Sequence, residues 1–354
     1  MTNLSKGSAL PRSLSESASI YLAPTIANGT DQITVAIRQG PQILYLADHS
    51  LGDIENWAVA LPDRAENILQ QLSFAQNYRS VAGLKAQAGP LIMGIVNVTP
   101  DSFSDGGDFL EAEKAVSHAE TLIAEGAHIL DFGGESTRPG ANGVSTSDEI
   151  GRVVPVIQKC RALSPNLSID TRKPAVMAAA IEAGASLIND VSALEYDAGS
   201  LQVAATSGLP ICLMHSSADP KVMQDNPVYD HVLFDVIDYL RQRMTLCLDA
   251  GILRENIILD PGIGFGKTLA HNLILLKGLR FFHALGCPVL LGVSRKSFIG
   301  KLDEAPAAKD RVAGSLAAMV AGLEAGVQVF RVHDVAATRQ AIAIWRAIDD
   351  TALT

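Results

Sequence analysis

The feature that most constrains the fold of this chain is a unit that recurs from residue 91 to residue 348. Each unit is a short, mostly apolar run of strand length followed by a helical stretch, and several helical stretches end at a glycine. Eight such strands occur in the 354 residues, each followed by a helix. Regular alternation predicts a parallel sheet, and eight units over about 250 residues predict an α/β fold, a (β/α)8 TIM barrel. A doubly wound open sheet is the alternative, which the lack of a Rossmann fingerprint disfavours.

The bounds of the repeat follow from the apolar runs and the helix stops. The predicted strands span residues 91–96, 128–132, 167–170, 186–190, 210–215, 257–260, 288–293 and 327–331. The predicted helices span residues 111–125, 148–163, 174–182, 200–206, 231–250, 269–285, 307–324 and 335–348.

The first ninety residues differ from the repeat. Residues 1–19 are rich in serine and lack the apolar segment of a secretory signal, so we expect a disordered tail. For residues 20–89 the pattern predicts a small α+β extension, with strands at 33–37 and 43–46 and a helix that begins at Pro62. We therefore divide the chain into the tail, this extension and a barrel domain over residues 90–354. The role of the extension is not disclosed by its residues.

Composition narrows the class of partner and the compartment. The formal net charge of −10 argues against nucleic acid or an anionic membrane as the main partner. No apolar run reaches the roughly 20 residues of a membrane helix. The four cysteines form no CxxC motif and predict reduced, buried thiols in the cytoplasm rather than a metal site or disulfides.

Polar side chains end nearly every predicted strand. In chain order they are Asn97, Asp131 with Glu135, Asp170, Asn189 with Asp190, His215, Asp260, Ser294 with Arg295 and Lys296, and Arg331 with His333. Each one alone could cap the helix that follows. Because the strand ends of a barrel meet at one mouth, their recurrence predicts a single site there.

The chemistry of this set has two halves. Asp170, Asn189 and Asp260 supply acceptors and an amide, which suit the edge of a flat heterocycle that bears amino and ring N–H groups. The opposite half consists of cations and donors that suit phosphate oxygens: Arg295, Lys296, Arg331 and His333. Residues 261–268 nearly match the P-loop pattern GxxxxGK[ST], but Pro261 stands at the first glycine, and we set a nucleotide site aside.

Seven motifs, in this order, give the segment from residue 91 to residue 348 a close resemblance to the dihydropteroate synthases. They are NVTPDSFSDGG from Asn97, GGESTRPGA from Gly133, SIDT from Ser168, IND from Ile188, DPGIGFGK from Asp260, SRKS from Ser294 and RVHDV from Arg331. The resemblance implies that a hydroxymethyl-dihydropterin diphosphate condenses with 4-aminobenzoate to give dihydropteroate and pyrophosphate. It also implies Mg²⁺ and a homodimer.

The resemblance assigns roles to residues of this chain. It implies that the pterin is held by Asp170, Asn189, Asp260 and Lys296 and flanked by Met214 and Phe265. It implies that Asn97 contacts Mg²⁺ and the diphosphate, whose oxygens meet Arg331 and His333. The 4-aminobenzoate subsite is implied to comprise Thr137, Arg138, Pro139, Arg295 and Ser297, under loops 99–109 and 136–140. Asp170, Lys296, Arg331 and His333 are implied to be catalytic, and residues 216–219 depart from the family pattern.

Two alternatives remain open at this stage. A pterin-binding methyltransferase domain shares the barrel and the pterin acids, but it needs neither the two loop motifs nor the phosphate-binding cluster. A diverged, non-catalytic pterin-binding barrel would have lost site residues, and all the expected ones are present. No Ser/His/Asp or Cys/His arrangement is evident in the sequence, so we expect a displacement without a protein nucleophile.

Overall fold

Two sheets organise the chain in the computed structural model. The structure describes residues 9–25, 32–76, 80–81, 84, 89–99, 108–136, 143–164, 166–217, 227–304 and 307–352. A three-stranded antiparallel sheet lies in the N-terminal part, and an eight-stranded parallel sheet forms the rest. The prediction of a (β/α)8 barrel preceded by a small α+β extension is confirmed.

The N-terminal sheet is covered on both faces. Its strands, in the order β1-β2-β3, and the two helices that follow are β1 Ser19–Thr25, β2 Gln32–Gln39, β3 Gln42–Ser50, α1 Leu51–Ala60 and α2 Pro62–Gln76. Because side chains alternate along a strand, Leu22 and Val35 pack against the two helices, whereas Tyr21 and Ala36 join the core of the barrel. The sequence did not predict β1 or α1, because Pro24 in the first disfavours a strand and Gly52 in the second disfavours a helix.

The barrel strands pair in chain order. They are β4 Leu91–Asn97, β5 Ile129–Gly133, β6 Leu167–Asp170, β7 Leu187–Asp190, β8 Ile211–Met214, β9 Ile257–Asp260, β10 Leu290–Leu291 and β11 Val329–Val332. β11 also pairs with β4, and a parallel bridge between Leu259 and Val289 joins β9 to the segment that leads into β10. The sheet thus closes on itself.

Helices surround the sheet. They are α3 Asp108–Glu125, α4 Thr146–Cys160, α5 Pro174–Ala183, α6 Ala198–Ser207, α7 Val232–Asp249, α8 Leu269–Lys277, α9 Ser297–Leu302, α10 Val312–Glu324 and α11 Val335–Asp349. The single helix predicted over residues 269–285 is wrong, because it divides at Gly278 into α8 and the 3-10 helix Leu279–Leu285. A Cβ at Gly278 would lie 2.4 Å from Leu233 Cδ2, so the glycine lets α7 approach. The stretch predicted as helix over residues 307–324 is the 3-10 helix Ala308–Arg311 followed by α10, and α9 was not predicted.

The two-residue period of the strands positions the polar groups. Ile129, Leu187, Ile258 and Val329 belong to one apolar cluster inside the barrel. Two residues further along each of the same strands stand Asp131, Asn189, Asp260 and Arg331. The same face of each strand therefore changes from apolar to polar towards its carboxyl end, where TIM barrels hold their ligands.

Within the ranges that the structure describes, every helix is too short or too polar to cross a bilayer.

Candidate active site

Four side chains from four strands meet at the mouth of the barrel. Arg331 on β11 donates from Nε to Asp131 Oδ2 at 2.6 Å and from Nη2 to Asp170 Oδ2 at 2.6 Å. Asn189 on β7 donates from Nδ2 to the same Asp131 Oδ2 at 3.1 Å. Charge-assisted bonds of this length fix both partners, so the guanidinium orients two carboxylates at once.

Each of the two acids keeps one oxygen for a ligand. Asp131 Oδ1 and Asp170 Oδ1 are buried and make no hydrogen bond within the described part of the chain. Burial raises the pKa of Asp170 to about 7. The nearby Asp131 adds to this rise, and Arg331 opposes it. A ligand that brings N–H donors would satisfy these oxygens and favour the ionised carboxylate.

Asp260 and Lys296 lie beside this cluster. Asp260 Oδ1 accepts a hydrogen bond from the backbone N–H of Gly262 at 2.7 Å, and burial raises the pKa of its carboxyl. The Lys296 ammonium stands 4.0 Å from the centroid of the Phe265 ring. Burial lowers the pKa of Lys296 to about 8, while Asp260 opposes the shift. Lys296 and Phe265 thus place a cation and an aromatic ring beside the carboxylates of the cluster.

A lysine that sequence analysis did not assign supports the wall of the site. Lys267 is buried, and its Nζ donates to Phe265 O at 2.8 Å and to His215 O at 3.3 Å, and lies 2.9 Å from His215 Nδ1. Burial lowers the pKa of Lys267 to about 7. Lys267 is the lysine of the segment that resembles a P-loop. Its ammonium binds protein groups and fastens the loop after β9 to the end of β8.

Gly262 gives this loop its shape. Its φ is +68°, and a Cβ there would lie 1.9 Å from the carbonyl oxygen of His215. No side chain fits in that space, so the close approach of the two strand ends requires a glycine.

The predicted phosphate cluster is partly engaged by the protein. His333 Nδ1 lies 3.0 Å from Ser294 Oγ, which also accepts from the backbone N–H of His333 at 3.1 Å. Arg295 has a φ of +57° and donates to Asp334 from Nε at 2.9 Å and from Nη2 at 2.5 Å. Its guanidinium is thus held by a carboxylate. Ser297 begins α9 and is exposed.

Of the remaining predicted residues, the structure describes two, Asn97 and Met214. Asn97 is half-buried at the end of β4, and among the described residues its side chain makes no hydrogen bond. Met214 is buried at the end of β8 and is the register partner of Asp260. Thr137, Arg138 and Pro139 lie outside the described residues. Within the described ranges, no cluster of three or more His, Cys, Asp or Glu residues is arranged to hold a metal ion.

Two acids of the barrel strands, Asp131 on β5 and Asp190 on β7, differ in role. Asp131 received no role from sequence reasoning, although its two-residue distance from Ile129 on the inner face was the available signal. Asp190 follows Asn189, so it points to the other face of the strand. Its carboxylate accepts from the backbone N–H groups of Ser192 at 2.7 Å and Leu194 at 3.0 Å, which is the capping role that each acid could have had.

A second network fixes the segments on either side of residues 137–142. Lys173 Nζ donates to Glu149 Oε2 at 2.6 Å and to Val144 O at 2.6 Å, and it pairs with Glu135 Oε2 at 3.0 Å. Thr171 donates to the other oxygen of Glu149 at 2.6 Å. No sequence pattern pointed to Lys173, because its partners come from distant positions.

Comparisons with known proteins agree with this geometry. The family described as pterin binding enzyme matches residues 93–333. The dihydropteroate synthase of Haemophilus influenzae is 46% identical over 259 residues, which cover 73% of this chain and 94% of that protein. The Escherichia coli K12 dihydropteroate synthase is 46% identical over 260 residues, covering 73% and 91%.

Solved structures give the same result. The Xanthomonas albilineans dihydropteroate synthase with 4-aminobenzoic acid has 46% identity and a TM-score of 0.71, covering 75% of this chain and 95% of that one. The same enzyme in complex with 7,8-dihydropteroate has 42% identity and a TM-score of 0.70, covering 78% and 100%. Together with the sequence matches, they show that this chain belongs to the dihydropteroate synthases, within the family of pterin binding enzymes.

Proposed function

We propose that the chain condenses 6-hydroxymethyl-7,8-dihydropterin diphosphate with 4-aminobenzoate, giving 7,8-dihydropteroate and pyrophosphate, as a step of folate biosynthesis. It is a transferase of the pterinylmethyl group. The observation that carries the proposal is the meeting of Asp170, Asn189 and Arg331 at one end of the barrel. Ligands named for the Xanthomonas albilineans enzyme, 4-aminobenzoic acid and 7,8-dihydropteroate, support the choice of substrates.

The acceptors recognise the pterin ring. The free Oδ1 of Asp170 accepts ring and amino N–H groups, and Asn189 and Asp260 provide further acceptors around the ring. Lys296 donates to ring heteroatoms that lack a proton, and Phe265 and Met214 supply apolar faces. A flat, polar-edged ring satisfies buried groups that otherwise lack partners, and this is the source of specificity.

The diphosphate lies toward the donors. Arg331 uses Nε and Nη2 for the two acids, and in the described part of the chain its Nη1 makes no hydrogen bond. That nitrogen, together with His333, binds phosphate oxygens. The negative charge that develops on the leaving group is thereby stabilised where it forms.

The reaction is a displacement with dissociative character. The bond between the pterin methylene carbon and the diphosphate oxygen breaks, and its electron pair leaves with pyrophosphate. The methylene becomes cationic and conjugated to the ring, and the Asp170 carboxylate offsets that charge through the ring N–H groups. The amine of 4-aminobenzoate then forms the new C–N bond and releases a proton to solvent. No protein nucleophile takes part.

We extend the proposal to Mg²⁺. A protein often contributes only one or two oxygen ligands to this ion when substrate phosphates supply the rest. The half-buried amide of Asn97, which makes no hydrogen bond among the described residues, fits that requirement. When bound, the ion would neutralise charge on the leaving diphosphate.

We further propose a homodimer located in the cytoplasm. The apolar residues Ile344 and Ile348 of α11 are 60% and 71% exposed, which supports a partner surface on this helix. All four cysteines are buried free thiols, which suits a reducing compartment. Analytical ultracentrifugation and cell fractionation would test the two statements.

Pyrophosphate release tests the reaction. The purified chain is given the dihydropterin diphosphate and Mg²⁺, with and without 4-aminobenzoate, and both products are quantified. We expect release that depends on 4-aminobenzoate and equals the dihydropteroate formed, with strong loss in EDTA and in Asn97→Ala. Tight pterin binding without release would overturn the proposal in favour of methyl transfer or a non-catalytic barrel. Full activity in EDTA would overturn the metal proposal alone.

A further inference from the structure

The N-terminal unit, residues 9–25 and 32–76, lies outside the family match, which begins at residue 93. It nevertheless packs closely against the barrel, on α7 and the 3-10 helix Leu279–Leu285. Phe74 contacts Gly286, where a Cβ would lie 2.8 Å from the ring, and Arg254 stacks over that ring at 4.9 Å. The unit is therefore a fixed part of this protein that its relatives' shared domain does not explain.

One contact of the unit lies in the middle of α7. The Tyr21 ring of β1 stands 4.3 Å from the Phe234 ring, and its hydroxyl donates to Asp238 Oδ2 at 2.7 Å. The Asp238 carboxylate also binds Arg241 at 2.6 Å. This contact anchors the sheet on the helix.

A second contact lies at the first turn of α7. Arg38 of β2 is buried, and its Nη2 pairs with Asp235 Oδ1 at 2.6 Å. The other oxygen of Asp235 accepts from the backbone N–H of His231, the N-cap residue, at 3.0 Å. One carboxylate thus caps the start of the helix and receives the cation of the N-terminal unit. Asp230 lies 3.9 Å from the same guanidinium.

The cation is held at an energetic cost. Arg38 Nη1 is buried and makes no hydrogen bond within the described residues. Desolvation of a charged group with an unsatisfied donor destabilises the folded state, and an apolar side chain would avoid that cost. The ion pair with Asp235 therefore favours a role in fixing the position of the helix start over a role in stability alone.

The start of α7 connects directly to the loop after β9, residues 262–268. This loop and the end of β8 at His215 form what we call the pterin-binding wall. Tyr229, two residues before His231, donates from its hydroxyl to Gly266 O at 2.8 Å, and its ring lies 5.9 Å from the His215 ring. Gly266 stands between Phe265, whose ring contacts Lys296, and Lys267, which fastens the loop after β9. The connection from Arg38 to Gly266 consists of bonded and packed groups throughout.

We propose that the N-terminal unit positions the pterin-binding wall of the barrel, and that Arg38 is the positioning residue through which it acts. The inference rests on the proposed function for the identity of the ligand on that wall. Arg38 fixes Asp235 and the N-cap, the N-cap fixes Tyr229, and Tyr229 fixes Gly266. Loss of the cation loosens the wall and weakens pterin binding, and it leaves the 4-aminobenzoate side unchanged.

The test compares full-length variants. We expect Arg38→Met to raise the KM for the dihydropterin diphosphate about fivefold or more, a range that coupled networks support. The KM for 4-aminobenzoate and kcat stay within about twofold of wild type on the same argument. Arg38→Lys recovers part of the loss. Arg64→Met is the matched control, because among the described residues the Arg64 guanidinium binds only the carbonyls of Ser15 and Glu16, inside the N-terminal unit.

Hydrogen exchange supplies a readout that needs no substrate. Faster exchange of the backbone N–H groups of residues 262–268 is expected in Arg38→Met and not in Arg64→Met. If Arg38→Met does not fold, Asp235→Asn, whose amide oxygen still caps His231, takes its place with the same expectations. Unchanged exchange and an unchanged pterin KM would overturn the inference. A wild-type chain without turnover would overturn the proposed function, and the exchange result would still decide this inference.

Discussion

Arg331 Nε donates to Asp131 Oδ2 at 2.6 Å, across 200 residues of sequence. Asp131 is fully buried, and the same oxygen receives the Asn189 amide at 3.1 Å. One carboxylate thus orients both a residue assigned to the pterin and a residue assigned to the diphosphate. In the proposed reaction it is therefore a positioning group for two parts of the substrate.

Asp131→Asn should therefore lower kcat/KM by about 10² or more, because a neutral amide orients Arg331 less firmly and a small misplacement of substrate costs about that factor. Steady-state kinetics with the pterin substrate varied would measure the loss. Asp190→Asn is the matched control, since Asp190 is equally buried, ends β7 and caps a turn. It should lose about 1–2 kcal/mol of stability and keep its kinetics. Wild-type kinetics in Asp131→Asn would contradict the assignment.

Replacing Asp170 by asparagine should raise stability and lower activity, and the gain in stability should depend on pH. Burial raises the pKa of this carboxyl to about 7, above its unfolded value, so the folded state binds the proton more tightly than the unfolded chain. Stability that this proton supplies is present below about pH 4 and is lost as the pH rises to about 7. Asp170→Asn, which cannot ionise, should gain in Tm relative to wild type between pH 5 and pH 8. Its turnover should fall by orders of magnitude. A constant difference in Tm across that range would contradict the argument.

The sequence predicted the barrel because its signal is repeated and local. Each strand is a short apolar run and most helices end at a glycine, so errors at single elements do not change the count of eight. The break at Gly278 was missed because it depends on Leu233, which comes from another helix. The order of the chain does not reveal such an approach.

The sequence indicated which residue types stand at the strand ends more than it indicated the contacts among them. Asn189 and Asp190 are adjacent and both polar, yet only the first lies on the same face of the strand as Leu187 and faces the barrel interior. That distinction was available from the period of the strand. The pairing of Arg295 with Asp334 was not, because it depends on where the loop after β10 meets the end of β11.

Lys296 should set the alkaline limit of activity. Burial lowers the pKa of its ammonium to about 8, so the cation proposed to bind the pterin is lost as the pH rises above that value. The profile of kcat/KM for the pterin substrate should fall above about pH 8, because it reports groups of the free enzyme. Lys296→Arg keeps its charge and should move this limb beyond about pH 10, at a lower rate. A limb that persists near pH 8 in Lys296→Arg would assign it to another group.

Gly262 and Gly208 offer a matched test of the loop that carries Phe265. Their φ angles are +68° and +65°, so alanine is equally strained in both backbones. The space differs, since a Cβ at Gly208 meets nothing within 4 Å, whereas one at Gly262 would lie 1.9 Å from His215 O. Gly208→Ala should cost about 1 kcal/mol and leave kinetics unchanged. Gly262→Ala should separate the ends of β8 and β9 and weaken pterin binding by at least about tenfold, measured by fluorescence titration. Equal effects of the two substitutions would show that backbone strain, and not the contact with His215, determines the shape of the wall.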